Sequence, residues 1–281
     1  MHPSDDSINL QVTAALAEDM GKCDLTAQLI PASSKAEAAI ICRDEAIICG
    51  IAWANACFRQ LDHNSQIEWH FKDGAQLSPG ATLCHISGNA RALLTAERTA
   101  LNFLQTLSAT ATQARRYADA IKGTNAVVMD TRKTLPGMRM AQKYAVTVGG
   151  GANQRLRLDD GILIKENHIA AAGGITQALE AGRKLGADVP IQIEVENLDE
   201  LTNALHSGAS LILLDNFDVG LLRRAVAINQ GRAILEASGG ITLQNIRQIA
   251  ETGVDRISVG SLTKDIKAVD LSMRFSSPKN Q

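Results

Sequence analysis

A stretch between residues 132 and 165 concentrates positive charge in a chain whose formal net charge is −2. The only acidic residues in this stretch are Asp159 and Asp160. Buried cations need anionic partners, so the cluster is typical of an anion-binding site. A solvated surface is the alternative for Arg139 and Lys143, which would lie one helical turn apart. The cationic residues are Arg132, Lys133, Arg139, Lys143, Arg155, Arg157 and Lys165.

Two acidic residues follow apolar runs further along the chain. Glu194 and Asp215 end two successive runs, and Gln192, Glu194 and Glu196 alternate with apolar residues, which places them on one face of a strand. Carboxylates that converge repel each other unless they are protonated or bridged by a cation. Mg²⁺ binds to a few carboxylates together with substrate phosphates, so the pair suggests a magnesium site. Pairing of each acid with a nearby Arg or Lys is the alternative.

Glycines near the end of the chain indicate a phosphate site. Ser238-Gly239-Gly240 precedes a helix expected to begin near Thr242, and Gly260-Ser261 follows the last apolar run. Glycines let backbone N–H groups approach a phosphate, and the last two βα loops of a β/α barrel often form such a site. His168 lies close to Lys165, but a lone histidine is more often a structural hydrogen-bond partner than a catalyst.

The elements that must position these residues alternate in the second half of the chain. Strand followed by helix at this spacing predicts βαβ units and a parallel sheet. A doubly wound open sheet is one form of such a sheet. A β/α barrel is favoured because nearly every apolar run ends in a polar residue or glycine. The predicted strands are Ala126–Met129, Ile162–Ile164, Ile191–Val195, Leu211–Leu214, Ile234–Leu235 and Ile257–Val259, and the predicted helices are Thr176–Leu185, Leu198–His206, Val219–Asn229 and Leu243–Glu251.

The first half has a different pattern. An amphipathic helix is predicted at Ile8–Glu18, with short strands at Ala38–Cys42 and Ala46–Cys49. Paired turn signals between residues 73 and 88 predict short antiparallel strands. A long helix, rich in Ala, Leu and Thr and free of Gly and Pro, is predicted from about Ala90 to Ile121.

Composition excludes several classes of protein. Lys and Arg total 28 against 30 Asp and Glu, which argues against binding to nucleic acid or to a membrane surface. No apolar run approaches the roughly 18 residues of a membrane span. The five cysteines show no zinc spacing and no CxxC pair, and the N-terminus is unlike a signal peptide. We therefore expect a cytoplasmic protein with free thiols.

Longer motifs in a fixed order resemble the quinolinate phosphoribosyltransferase family, also called nicotinate-nucleotide pyrophosphorylase (carboxylating). The resemblance covers nearly the whole chain. The motifs are LTAERTALN (Leu94–Asn102), DTRKTLPGMR (Asp130–Arg139), KYAVTVGGGANQR (Lys143–Arg155), LIKENHI (Leu163–Ile169), IEVEN (Ile193–Asn197), LLDNF (Leu213–Phe217) and ISVGSLTK (Ile257–Lys264).

The resemblance implies two domains. One is an α/β sandwich over 1–110, completed by the tail 266–281, and the other is a β/α barrel with fewer than eight strands over 111–265. It also implies a homodimer in which each active site combines the barrel of one subunit with the sandwich domain of the other. The implied enzyme is a decarboxylating pentosyltransferase of NAD biosynthesis. It converts quinolinate and phosphoribosyl pyrophosphate to nicotinate mononucleotide, pyrophosphate and CO₂ with Mg²⁺.

Residue roles follow from the resemblance where the motifs match. The residues expected to surround the quinolinate carboxylates are Arg132, Lys133, Arg155, Lys165 and, from the partner subunit, Arg98. Those expected at the Mg²⁺ and pyrophosphate end are Glu194 and Asp215. Those expected to hold the 5-phosphate are Ser238, Gly239, Gly240, Gly260 and Ser261. The catalytic residues among these are expected to be Lys133, Lys165, Glu194 and Asp215.

One position departs from the family pattern. Gln154 stands where the family usually has His before the Arg. A neutral His and a Gln can each donate one hydrogen bond, so Gln154 is assigned to quinolinate binding, although it lacks the charge of a protonated imidazole.

Two other functions compete with this assignment. A Schiff-base lyase or aldolase would use Lys165 as its nucleophile. The surrounding arginines and the acid pair suit a charged, metal-assisted substrate better. A repurposed paralogue, for example the relative linked to molybdate transport, is the second alternative. The intact LIKENH motif and the acid pair argue against it.

Overall fold

A computed structural model describes residues 2–276, and the chain divides into two compact units. Among the described residues, unit 1 contains 2–113, 135–149 and 265–276. Unit 2 contains Ala114–Thr134 and Gly150–Lys264. Residues 135–149, which the sequence-based boundaries gave to the barrel, thus lie in unit 1. Residues 277–281 of the expected tail fall outside the described residues.

The elements alternate as the sequence pattern suggests. The helices are α1 (Asp5–Met20), α2 (Ile51–Leu61), α3 (Ala90–Ala120), α4 (Arg139–Val148), α5 (Glu166–Ala172), α6 (Ile175–Lys184), α7 (Leu198–His206), α8 (Val219–Asn229), α9 (Ile246–Ala250) and α10 (Ser261–Lys264), with a 3₁₀ turn at Ala27–Leu29. The strands are β1 (Lys35–Cys42), β2 (Ala46–Ile47), β3 (Gln66–Trp69), β4 (Gln76–Leu77), β5 (Thr82–Asn89), β6 (Val127–Met129), β7 (Ile162–Ile164), β8 (Ile191–Val195), β9 (Leu211–Asp215), β10 (Ile234–Ser238), β11 (Arg256–Ser258) and β12 (Leu271–Phe275).

Unit 1 is built on a four-stranded antiparallel sheet in the order β12-β1-β5-β3, with a separate pair β2-β4. Ala38, Ile40 and Cys42 of β1 are buried, while the residues between them are more exposed. This alternation is the period of a strand that covers a core with one face. The core cluster also takes in residues of α1, α2 and the first part of α3. The predicted α/β sandwich is confirmed.

Unit 2 is built on a six-stranded parallel sheet in the order β6-β11-β10-β9-β8-β7. From β7 to β11 the neighbours follow the chain, and β6, the first strand of the unit, lies beside β11, the last. A doubly wound sheet reverses its order at a switch point, whereas a barrel brings its first strand beside its last. The expected β/α barrel with fewer than eight strands is confirmed, and the open doubly wound alternative is wrong.

One predicted boundary of unit 2 is wrong. The helix expected at Leu243–Glu251 is the shorter α9, because Thr242 N–H donates to Asn245 Oδ1 in a turn before it. In unit 1, α4 begins at Arg139 because Gly137 has a φ of 73° and cannot continue a right-handed helix. Within residues 2–276, none of the helices combines the length and apolar character needed to cross a membrane.

Candidate active site

Two arginines of unit 2 form the centre of the positive cluster. Arg132 follows β6, and its Nε is buried without a hydrogen-bond partner among the residues that the structure describes. Burial lowers the pKa of Arg155, the charge of Arg132 lowers it further, and Asp160 opposes the change. A buried donor without a partner costs free energy, so this arrangement suits an anionic ligand that accepts from guanidinium groups.

The backbone holds Arg155 in place against this repulsion. Its NH1 donates to Gly161 O at 2.8 Å. A Cβ added at Gly161 would lie 3.2 Å from the Cβ of Arg155, so the close approach favours glycine. Asp160 accepts from the N–H of Leu156 at 2.6 Å and of Arg157 at 2.8 Å, which closes the turn that follows. Arg155 is thus fixed by its own loop.

Lys165 and Glu194 form an ion pair. Lys165 precedes α5, and its Nζ lies 3.2 Å from Oε2 of Glu194. The lysine side chain is 46% exposed, whereas the glutamate side chain is only 10% exposed. The backbone N–H of Lys165 donates to His168 Nδ1 at 3.0 Å. His168 therefore has the structural role that the sequence favoured.

The predicted pair of acids, Glu194 and Asp215, interacts electrostatically. The pKa of Glu194 is raised, first by burial and further by the charges of Asp215 and Glu166, while Lys165 opposes the rise. Within residues 2–276 there is no group of three or more His, Cys, Asp or Glu side chains placed to hold a metal ion. Two converging carboxylates suit a divalent cation that brings further oxygen ligands with it, as Mg²⁺ does with phosphates and water.

Asn216 joins the acid pair to the glycine loop. It has a φ of 56°, in the left-handed region that Asn tolerates better than most residues. From there its Nδ2 donates to Asp215 Oδ2 at 2.7 Å and its backbone N–H donates to Ser238 O at 2.9 Å. A Cβ added at Gly239, whose φ is 95°, would overlap Asn216 Oδ1. Gly239 is needed both for its conformation and for this close approach.

The second predicted phosphate loop lies against Lys133. A Cβ added at Gly260 would lie 3.3 Å from Lys133 Cδ. Thr263 Oγ1 donates to the backbone oxygen of Lys133 at 2.8 Å, which fixes this neighbourhood. Ser261 Oγ lies 3.4 Å from Tyr117 OH, within hydrogen-bonding range. The structure therefore places Lys133 beside the expected phosphate loop rather than only beside the carboxylate cluster.

The remaining expected residues are divided between the two units. Arg98, Arg139 and Lys143 belong to unit 1, where Arg98 is exposed and Lys143 is 1% exposed. Gln154 lies in unit 2, but its Nε2 donates to Gln192 and Glu236 inside the barrel.

The sequence patterns assign no role to Asn216, Glu236 or Ser258 of unit 2, and they place Gln192 only on the strand face that carries Glu194. A role for Glu236 could nevertheless have been inferred, because it is a charged residue that directly follows an apolar run.

Comparisons with known proteins agree with this architecture. A family model described as quinolinate phosphoribosyl transferase, C-terminal domain, matches residues 110–274, and the corresponding N-terminal domain model matches residues 24–108. A probable nicotinate-nucleotide pyrophosphorylase [carboxylating] of Bacillus subtilis is 42% identical and covers 91% of this chain and 89% of its own length. The Mycobacterium leprae protein named nicotinate-nucleotide pyrophosphorylase [carboxylating] is 40% identical, covering 93% and 95%. The structure of the nicotinate-nucleotide pyrophosphorylase from Francisella tularensis is 45% identical, with a TM-score of 0.94 and 98% of each chain covered.

The contact between Gly239 and Asn216 predicts a specific loss of stability. Gly240→Ala should lower the melting temperature by about 2–4 °C, because its left-handed φ of 60° costs roughly 1–2 kcal/mol while the space around it is open. Gly239→Ala should lower it at least twice as far, since the methyl group also meets Asn216 Oδ1. Thermal denaturation followed by circular dichroism measures both shifts.

A double variant separates the two causes. Asn216→Gly keeps the left-handed backbone accessible and removes the amide. Combined with Gly239→Ala, it should raise the melting temperature to about that of the Gly240→Ala variant. Equal shifts for the two alanine variants, with no recovery in the double variant, would contradict this account of Gly239.

Proposed function

The chain belongs to the quinolinate phosphoribosyltransferase family, and we propose that unit 2 transfers a phosphoribosyl group to quinolinate with loss of CO₂. The observation that carries the proposal is the pair Arg132 and Arg155: Arg132 Nε is buried without a partner among the described residues, and the pKa of Arg155 is lowered by burial and by the charge of Arg132. A 1,2-dicarboxylate such as quinolinate supplies two anionic acceptors for such a pair. Arginine suits this task because its planar guanidinium binds carboxylates in a bidentate manner.

The phosphoribosyl pyrophosphate would bind at the other polar groups of the barrel ends. Backbone N–H groups of the loops at Gly239 and Gly260, with Lys133 beside the latter, suit the 5-phosphate. The carboxylates of Glu194 and Asp215 would hold Mg²⁺ against the pyrophosphate. When bound, Mg²⁺ would supply charge neutralisation for the leaving group. The choice of this metal rests on its preference for carboxylate and phosphate oxygens.

The residues of the chain position the reacting atoms. Arg132 and Arg155 would orient the ring through its carboxylates so that the ring nitrogen faces the anomeric carbon. The nitrogen forms a bond to that carbon as pyrophosphate leaves with the bonding electrons. The ionised acids Glu194 and Asp215 would stabilise the developing positive charge of the sugar. The alkylated nitrogen is then positive, so the electron pair left on the adjacent carbon when CO₂ departs lies beside a cation until that carbon takes up a proton from solvent.

The Schiff-base alternative has weaker support. Its nucleophile would be the amine of Lys165, yet the Nζ of this side chain lies 3.2 Å from Glu194 Oε2, so attack on a carbonyl would require breaking this ion pair. A repurposed paralogue would not require the Arg132–Arg155 pair and the Glu194–Asp215 pair together in one unit.

Assembly and compartment belong to the same proposal. We infer a homodimer in which Arg98 reaches the barrel of the partner subunit, and this is supported by its exposed position on α3. Burial raises the pKa of the adjacent Glu97 and the charge of Arg98 opposes the rise, so this acid compensates the arginine in part. The free state of all five cysteines supports a reducing compartment such as the cytoplasm.

The arginine pair predicts substrate choice. Nicotinate has one carboxylate and would leave one guanidinium without a partner, at a cost of roughly 1.5–3 kcal/mol. The kcat/KM for nicotinate should therefore be about ten- to a hundredfold below that for quinolinate, or lower. Assays with each acid, phosphoribosyl pyrophosphate and Mg²⁺ measure the ratio by formation of the mononucleotide. Equal turnover of the two acids would refute the assignment.

The acid pair predicts a selective loss of metal-dependent binding. Glu194→Gln and Asp215→Asn should weaken binding of phosphoribosyl pyrophosphate in the presence of Mg²⁺ by about tenfold or more, because each removes an anionic ligand. Calorimetry should show quinolinate binding that is changed far less. Glu196→Gln, an exposed acid beside the same strand, is the matched control and should bind both ligands normally. Loss of quinolinate binding with intact Mg²⁺ dependence would show that the metal assignment is wrong.

A shared site predicts complementation between two inactive chains. Arg98→Ala and Lys165→Ala homodimers should each be nearly inactive, because every site lacks one charge-assisted contact. Heterodimers isolated from co-expressed chains with two different tags would contain one site with both defects and one with neither. Their activity should be about half that of the wild type. Heterodimers as inactive as their parents would rule out a role for Arg98 across the interface.

A further inference from the structure

Four polar side chains meet inside the barrel of unit 2, away from solvent. Glu236 of β10 is 0% exposed, Gln192 of β8 is 7% exposed and Ser258 of β11 is 5% exposed. Gln154, which follows the bridge between Met129 and Ala152, reaches the same place. A buried carboxylate must be fully hydrogen bonded, because desolvation of an unpaired charge is costly. Among the described residues, the donors that reach Glu236 are neutral.

The hydrogen bonds of this group have one consistent arrangement. Oε1 of Glu236 accepts from Ser258 Oγ and from Gln154 Nε2, the latter at 3.1 Å, and Oε2 accepts from Gln192 Nε2 at 3.0 Å. An ionised carboxylate only accepts, so both glutamine amides must turn their NH₂ groups toward it. The oxygen of Gln192 then accepts the second hydrogen of Gln154, at 2.6 Å.

This arrangement determines what Gln154 can do. Both hydrogens of its amide are used inside the barrel, so the expected donation to a quinolinate carboxylate would require breaking one of these bonds. Its oxygen points the other way and accepts the backbone N–H of Arg155 at 3.0 Å. The backbone N–H of Gln154 itself donates to Asp130 Oδ1 at 2.8 Å. The side chain thus connects the buried carboxylate to the backbone of Arg155.

We propose that Glu236 is a positioning residue which, acting through Gln154, fixes Arg155 beside Arg132 and so determines the affinity for the dicarboxylate. This rests on the proposed function, because it concerns the residue that would bind quinolinate. Burial lowers the pKa of Arg155 and the like charge of Arg132 lowers it further, so the backbone hydrogen bond that Gln154 accepts helps to hold the arginine in place. Glu236 supplies the fixed acceptor that orients this amide.

The test replaces one carboxylate oxygen of Glu236 by an NH₂ group and then restores a carboxylate at position 192. Glu236→Gln leaves one oxygen where there were two, so an NH₂ group must face another donor and the amide of Gln154 loses its fixed orientation. The double variant Gln192→Glu/Glu236→Gln moves the carboxylate from β10 to β8. There the carboxylate can accept from Gln154 and from the amide introduced at position 236. The oxygen of that introduced amide accepts from Gln154 and Ser258, so every donor is satisfied again.

Calorimetry with each substrate separates positioning from general damage. Glu236→Gln should weaken quinolinate binding at least tenfold and change the binding of phosphoribosyl pyrophosphate with Mg²⁺ by less than threefold. The double variant should recover quinolinate affinity to within about threefold of the wild type. The proposal is overturned if Glu236→Gln lowers only the melting temperature, or if it weakens both ligands equally.

A second measurement does not depend on the substrate. Hydrogen exchange of the Arg155 backbone amide, followed by NMR, should be at least tenfold faster in Glu236→Gln and should return toward the wild-type rate in the double variant. If the wild type does not bind quinolinate, the proposed function fails while this exchange still decides the positioning role. An unchanged exchange rate in Glu236→Gln would overturn the role even if quinolinate is the substrate.

Variants of Gln154 give a matched pair. A neutral imidazole can donate to Glu236 from one nitrogen and accept the Arg155 N–H at the other. Gln154→His should therefore keep activity within about tenfold and keep the Arg155 amide protected. Gln154→Met has a similar length without polar hydrogens and should reproduce the loss of quinolinate affinity in Glu236→Gln. Equal behaviour of the His and Met variants in both measurements would contradict the connection through Gln154.

Discussion

Repulsion between Arg132 and Arg155 is the constraint on which the arrangement of this site depends. Two guanidinium groups that lie close together in a partly buried place would move apart unless the backbone prevents it. Arg155 is anchored to Gly161 O, and its own N–H is bound by Gln154. Both anchors belong to the loop that precedes β7, so the charges are held before any anion binds. Such preorganisation lowers the cost of binding, because little reorganisation follows.

Much of this could be predicted from sequence because parallel strands bring their carboxyl ends to one edge. A polar residue at the end of an apolar run is therefore assigned to the site without knowledge of its partners. Glu194, Asp215 and Ser238 are identified in this way, and each lies at or near the end of a strand of the six-stranded sheet. The spacing of the apolar residues is sufficient to locate the strands and their ends, since this spacing depends on local burial alone.

The contacts between strands could not be predicted, because they depend on lateral register. Ser238 of β10 pairs with Asp215 of β9, and this register brings Asn216 against Gly239. Spacing along the chain contains no sign of such a contact. The predicted strand Ile234–Leu235 stops before Glu236, and a charge is rarely placed in a barrel interior. The structure satisfies this charge with amide and hydroxyl donors from other strands, which a local pattern cannot reveal.

The ion pair of Lys165 and Glu194 couples the two ends of the site, where the dicarboxylate and the divalent cation would bind. Each partner compensates the other at 3.2 Å, and the nearby Asp215 would otherwise make the negative charge of Glu194 more costly. Under the proposed function, a dicarboxylate competes with Glu194 for the lysine, and a divalent cation competes with Lys165 for the glutamate. A ligand that takes one partner leaves the other free for the second ligand. The exchange therefore favours joint occupancy, since the cost of breaking the ion pair is borne only once.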